Sequence, residues 1–562
     1  MQVGEKTHIP WWRRRWLKVT GGLVAAGVVG LGIAAEYAIH NAGPIVRKRV
    51  IETLSAKFDA PVELDRLDIS LLRGVEVEGD GLRVPYGSAD KQTKLLSVEH
   101  FTFRTTIQGL LHQPTHISLI RVDGMELHVP PGSARKQILG TNLGEPFADP
   151  QHPRTKPKIA FTAGEILCTN VKLVIDTDKP GKEPLEFDIG RLDLHDIGPD
   201  QPMIYKAELT NPKPVGAIHA EGHFGPWDAD GPRETPLDGD YSFDHADLST
   251  IKGIGGMLAS TGHFAGQLEH ITIDGTTDTP DFSIDGSKYP VPLHTVFHAY
   301  VDGTTGDTTL DPVQAHLLHS DFTARGTVTR VKGVGHDIAL EVTMPHGRIE
   351  DMLDLGVKTR PPLMSGVLTL RAKLHLPAGH ERVTEKMELA GIFAVQGVSL
   401  NNPKWQDKVD SLSMRAQGRP REAKAAGSDG KPEEQSQMQA KFNLRGGLIS
   451  VDDLKYQVPG VTVLLNGVYS TDGDVFEFKG HVRTDATASQ MVTGWKSALL
   501  QPFDKVLKKD GAGLELPVSI SGTGSDVSFG LAMHGTADES SKEIAADVKA
   551  RAAAKVSGKS QR

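Results

Sequence analysis

Four groups of residues have spacings that catalysis or metal binding uses. Ser249-Thr250-Ile251-Lys252 fits the S-x-x-K pattern, in which a serine hydroxyl is activated for acyl transfer. That chemistry needs the serine at the start of a buried helix together with S-D-N and K-T-G partners, and neither tripeptide occurs. His294/His298 and His316/His319 have metal-like spacing. On strands, however, His316 and His319 point to opposite faces, with no nearby carboxylate expected to orient them. Asp228/Asp230 and Asp238/Asp240 resemble calcium loops but lack the later bidentate Glu, and read as β-turns. Gly253-Ile254-Gly255-Gly256 is part of a phosphate loop without its lysine. The expectation is a chain with no catalytic residue, no metal and no cofactor.

The elements that would position these residues are strands. The 562 residues are 38% hydrophobic and 24% charged, and Gly (60) and Pro (34) are abundant while aromatics are 6%. Such a chain is rich in turns and short strands. The net charge of −9, with no basic block on the body of the chain, argues against nucleic-acid binding. The lone Cys168 excludes an intrachain disulfide and a cysteine zinc cluster.

From Pro61 to about Leu531 the dominant period is two. Ile338, Leu340, Val342 and Met344 alternate with polar neighbours, as do Leu368, Leu370, Ala372, Leu374 and Leu376, and Met125, Leu127 and Val129. Ten Asp-Gly dipeptides, among them Asp80-Gly81, Asp123-Gly124, Asp274-Gly275, Asp302-Gly303 and Asp472-Gly473, predict hairpin turns. A glycine two residues before an apolar strand residue recurs at Gly262/Phe264, Gly326/Val328, Gly391/Phe393, Gly467/Tyr469 and Gly480/Val482. Ile271–Gly275 (ITIDG) and Phe282–Gly286 (FSIDG) add a second echo. The pattern predicts an antiparallel meander that grows strand by strand.

The N-terminus reads differently. Leu17 to Ile39, with Leu23, Val28, Val29, Leu31 and Ile33 at its centre, is apolar enough and long enough to span a bilayer. Trp11, Trp12 and Trp16 suit the headgroup layer, and Arg13, Arg14, Arg15 and Lys18 predict a cytoplasmic N-terminus. The apolar run is longer than that of a cleaved signal peptide. The expected organisation is a cytoplasmic N-terminus at 1–16, a membrane anchor at 17–39 and an amphipathic helix at 44–58. A β trough follows at 61–418, then a disordered insertion at 419–440 and a C-terminal β region at 441–531 with a helix at 489–508. A flexible tail at 532–562 ends the chain. The helix at 44–58 is expected either on the membrane surface or capping the sheet.

The fold class expected is mainly β: a transmembrane helix, then an elongated antiparallel sheet curled into an open trough with a few short capping helices. One apolar face per strand must be covered, and two amphipathic helices are too little material to cover it. An open trough would present a continuous apolar floor, including Ile338, Leu340, Val342, Leu368, Leu370, Leu374, Leu127 and Val129, suited to acyl chains. The other solution is a closed sandwich with no conduit, acting as a structural scaffold or assembly factor.

Val50–Pro85, Ile117–Pro130, Met387–Leu400, Val409–Gly418 and Leu516–Leu531 together resemble the AsmA-like family of inner-membrane-anchored periplasmic proteins, relatives of TamB and of the bridge-like lipid-transfer proteins. The resemblance implies a single-pass bacterial inner-membrane protein with its bulk in the periplasm. It implies a role in outer-membrane biogenesis, phospholipid as the ligand, a periplasmic or outer-membrane partner protein, and no catalytic residues.

Overall fold

The computed structural model describes residues 62–70, 75–86, 93–106, 115–129, 161–198, 201–226, 232–285, 289–357, 360–425, 436–471, 474–493, 513–524, 526–532 and 537–560. Isolated positions at 48, 51, 52, 55, 108, 497, 499–501 and 504 are also described. The proposed anchor at 17–39, with Leu23, Val28, Val29, Leu31 and Ile33, lies outside the described residues, as do Asp228 and Asp230. Among the described residues no helix is long and apolar enough to cross a membrane.

The fold is mainly β, with 65% of the described residues in strands, and the chain divides into two compact units. The first comprises 1–178, 184–209 and 221–236; the second comprises 179–183, 210–220 and 237–562. In the first unit β1 (Arg66–Ser70), β2 (Val75–Tyr86), β3 (Thr93–Thr105) and β4 (Thr115–Val129) pair antiparallel in order. The next neighbour, β5 (Phe161–Ile175), lies parallel to β4, which departs from the expected uniform meander. A parallel neighbour needs a crossover of a dozen residues or more, and 130–160 is long enough to supply it. β6 (Leu185–Ile197) and β7 (Met203–Pro212) resume the antiparallel order.

Two Asp-Gly pairs of this unit do not turn the chain. Asp80-Gly81 lies inside β2 and Asp123-Gly124 inside β4, with φ of +66° at Gly81 and +65° at Gly124. The registers put both glycines at one level of the sheet, beside Asn170 of β5 at φ +54°. The pairing on either side of these positions stays one to one, so the left-handed residues are absorbed inside the strands without turning the chain. Asp274-Gly275 likewise falls inside a strand, β12 below. Leu64, Leu67, Val75 and Val77 form a core that Ile51 joins, so that part of the 44–58 segment packs on the sheet.

β8 (Val215–Phe224) has residues in both units. The second unit continues with β9 (Pro236–Asp247), the short β10 (Ile254–Gly255), β11 (Met257–Gln267), β12 (His270–Ile284), β13 (Val291–Asp302), β14 (Asp307–Leu317), β15 (Ser320–Val331) and β16 (Gly335–Arg348). Helix α1 (Ile349–Gly356), β17 (Met364–Leu376), α2 (Val383–Lys386), β18 (Glu388–Leu400), α3 (Pro403–Ala416) and α4 (Pro420–Ala425) follow. The unit ends with β19 (Gln437–Arg445), β20 (Leu448–Val458), β21 (Val461–Ser470), β22 (Val475–Thr484), β23 (Leu514–Thr523), β24 (Asp526–Leu531) and α5 (Ser541–Ser560). From β11 to β24 each strand pairs antiparallel with the next, giving a curled open sheet. ITIDG and the start of FSIDG both lie in β12, so that echo does not mark successive hairpins. Register shifts interrupt the pairings between Phe297 and Ala299, Leu310 and Val313, Met344 and Gly347, and Val451 and Leu454. Each adds local twist and bends its strand.

Three stretches differ from the sequence reading. Residues 403–416, expected within the trough, form α3, started by the Asn402 side chain accepting from the Lys404 N–H and by Pro403 in the first turn. Residues 420–425 are helical and 437–440 belong to β19, where an insertion was expected at 419–440. The tail at 541–560 is not a loose end: Ile544, Val548 and Ala552 of α5 are buried against Val468 and Val475. Of the helix expected at 489–508, residues 489–493 form a turn and bend instead, while Ser497, Leu499–Gln501 and Asp504 are helical.

Candidate functional site: an apolar floor

Because side chains alternate faces along a strand, the registers of the second unit can be followed from strand to strand on one side. Ile338 faces Leu376, Leu340 faces Leu374, and Val342 faces Ala372. The same rows continue from Leu374 to Leu389, from Ala372 to Gly391, and from Leu370 to Phe393. They run on through Leu444 and Phe442 of β19, Ile449 and Val451 of β20, and Tyr469 and Gly467 of β21. Phe476 and Phe478 of β22, Ile520 of β23 and Phe529 of β24 complete them at one end. In the other direction the rows pass through Gly326, Leu310, Ala299, Ile273 and Phe264. One apolar face therefore extends without a break over β11 to β24. At about 4.8 Å per strand it is about 60 Å long.

The recurring glycines belong to this face. Gly262, Gly326, Gly391, Gly467 and Gly480 all sit in the apolar rows, so the repeated glycine-then-apolar spacing places both residues on the floor. A Cβ at Gly467 would stand 2.1 Å from the Phe478 ring, and one at Gly275 would stand 2.8 Å from Phe297. Aromatic rings thus lie over neighbouring glycines and tile the face, which is why few aromatics suffice.

Much of the opposite face is polar and paired. Glu341 and Lys373 form an ion pair of 3.1 Å. His263 Nδ1 lies 3.0 Å from Asp240, and His298 Nδ1 2.7 Å from Asp274. His294 sits 3.8 Å from Asp278, and His316 Nδ1 2.7 Å from Asp321. Carboxylates therefore do stand beside these histidines, contrary to the sequence expectation, because cross-strand pairing sets an Asp of the neighbouring strand beside each one. Each histidine is engaged separately, and no metal-holding cluster of three or more ligands exists among the described residues. Beside Asp337 and Glu388, His375 has a raised pKa, chiefly through the Asp337 hydrogen bond.

Ser249 lies in a single 3-10 turn, Leu248–Thr250, capped by Asp247, and Lys252 is exposed beyond it. That turn is not the buried helix start that S-x-x-K chemistry needs. Asp238 and Asp240 are residues of β9. Gly253 and Gly256 have φ of +102° and +123° in the connection through β10, which gives no strand-to-helix phosphate cradle.

Two helices cover parts of the floor. Leu368 is 2% exposed because it packs with Met344, Val395 and Val398 beneath Ile349 and Met352 of α1. Ile338, Leu340, Val342, Leu370 and Leu374 are half-buried, so they remain in reach of a ligand. The sequence could not separate Leu368 from these, since its alternation is the same. The second is α3, whose Trp405 ring meets Phe529 of β24 with centroids 4.4 Å apart. Asp410 of α3 lies by Tyr456, whose hydroxyl is pushed up to about 12 by burial and then by that charge. Helix α5 lies on the other side of the sheet, over Val468 and Val475. Leu127 and Val129 are half-buried residues of β4 in the first unit.

Searches of family models, of curated proteins and of solved structures found no match to this chain.

Proposed function

We propose that the protein is a membrane-tethered trough of the AsmA-like kind, which binds phospholipid acyl chains on its apolar floor and lets them move along it. The observation behind this reading is the unbroken apolar face of β11 to β24, on which Ile338, Leu340, Val342, Leu370 and Leu374 are half-buried. Large accessible apolar surfaces mark binding sites, and each CH₂ taken from water contributes about 0.8 kcal/mol. A row of Leu, Val, Phe and Gly offers similar contact at each step, so no deep minimum stops a sliding chain. The charged headgroup stays in water at the rim. The Leu17–Ile39 segment supplies the tether, with the bulk of the chain in the periplasm and the lipid moving toward an outer-membrane or periplasmic partner. This function needs no catalytic group or cofactor.

The test is lipid content. Protein purified in mild detergent is expected to carry phospholipid above a globular membrane control, and Leu340→Asp with Leu374→Asp to remove it while the protein still accumulates. A wild-type extract at the control level contradicts the proposal and leaves a tethered scaffold.

A further inference from the structure

The connection between β17 and β18, residues 377–387, makes a contact that a flat sheet forbids. The strand registers link Leu376 through Ile338, Val328, Thr308 and Val301 to Ile271, so Leu376 lies level with the start of β12. Yet the Val383 N–H donates to the Lys252 carbonyl at 3.0 Å, and Arg382 lies 3.8 Å from Asp285. Both partners are at the far end of β12: Ile254 pairs with Ile284, and the Asp285 N–H donates to the Gly253 carbonyl at 3.1 Å. Ile284 is thirteen residues beyond Ile271, about 43 Å along a straight strand. Val383 is seven residues beyond Leu376 and can reach at most about 25 Å. The contact exists because the sheet curls and brings its two strand-end margins toward each other.

We infer that residues 377–387 are a strap across the mouth of the trough, latched on the opposite margin and governing sideways access to the floor. This rests on the apolar face being the inner one, as in the proposed function. The latch is small. It consists of the Val383 hydrogen bond, the exposed Arg382–Asp285 pair, and the packing of Val383 on Gly253, where a Cβ would come within 3.3 Å of the valine Cβ. The strap itself is preformed. Lys386 Nζ donates to the Gly379 carbonyl at 2.9 Å, and the single turn of α2 is closed by the Met387 N–H donating to Val383. A preformed strap on a weak latch opens as a unit, with little to reorganise. An opening strap admits a two-chain lipid from the side, which threading past α1 and α3 does not allow.

Val383 is the first residue of α2, where proline is tolerated, and the preceding Arg382 is extended, as a residue before proline prefers. Val383→Pro therefore deletes the latching N–H while leaving the strap's own turn intact. Arg382→Glu breaks the ion pair, and Asp285→Arg in the same chain restores it. The readout is the rate at which a bulky maleimide labels a cysteine placed at Leu374 on the floor, with Lys373→Cys on the outer face as reference. Loss of one hydrogen bond predicts about fivefold faster labelling at 374 with no change at 373. Arg382→Glu should act in the same direction, and the reversed pair should return the rate to that of the parent. Equal rates at 374 in all four backgrounds overturn the strap, whether or not the protein carries lipid. A wild type without lipid but with faster labelling in Val383→Pro keeps the strap and removes the lipid reading.

Discussion

Leu374 and Leu368 point to the same face of one strand, six residues apart, yet one is half-buried and the other is 2% exposed. The difference is α1, which covers Leu368 and ends before it reaches Leu374. This pair separates floor that serves the fold from floor that is free for a ligand.

The first prediction follows from that contrast. Leu368→Ala leaves a cavity in a sealed core and is expected to cost about 2–5 kcal/mol. Leu374→Ala removes side chain from a half-wet surface and should cost well under half as much. Denaturant unfolding of both variants checks the order; equal losses would mean that both sites are sealed.

Cys168 is buried in the first unit among Val171, Ile189 and Ala207, and burial pushes its thiol up to about 11. The thiolate is the reactive form, so the native protein should alkylate at least about a hundredfold more slowly than unfolded chain at pH 8. Iodoacetamide labelling followed by mass measurement reads this directly. Labelling at the unfolded rate would show that the first unit's core opens freely.

His375 gains the Asp337 carboxylate on folding, which raises its pKa. A group with a raised folded pKa adds stability that is fully present below its unfolded pKa, near 6.5, and is lost as pH rises through the folded value. Wild type should therefore exceed His375→Gln in thermal midpoint at pH 5.5, with the gap closing by pH 8. A gap that grows with pH would contradict the pairing.

Helix α5 seals the outer side of β20 to β22. Val548 is fully buried, and Arg551 pairs with Glu477 at 3.1 Å. Val548→Asp places a charge where nothing compensates it and is expected to detach the helix. Hydrogen exchange should then speed up in β21 while β12 and β13 keep their protection. Unchanged exchange in β21 would show that the helix adds nothing to the sheet.

The strands and their apolar faces were legible in the sequence because period-two alternation directly encodes a face. Leu340 and Leu374 could be assigned to one side from their spacing, and the registers place them opposite each other. What stayed illegible depends on partners distant in the chain. The parallel β4–β5 junction turns on where β5 docks, and Asp123-Gly124 looks the same inside a strand as in a turn. Helix α5 has a weak apolar pattern of mostly Ala and Lys, so its docking rests on Val468 and Val475, some 75 residues earlier. The start of α3 did carry a local signal, the Asn402-Pro403 pair, which the surrounding strand pattern masked.

The central claim is that the half-buried floor holds acyl chains. The most direct measurement places a photo-crosslinking residue at Leu340, Leu370 or Leu374, and in parallel at Lys373 on the outer face, in the full chain produced in cells. Mass spectrometry is expected to find phospholipid adducts at the three floor positions and none at 373. Floor positions that give protein adducts, or none, while the reagent reacts normally elsewhere would contradict the account.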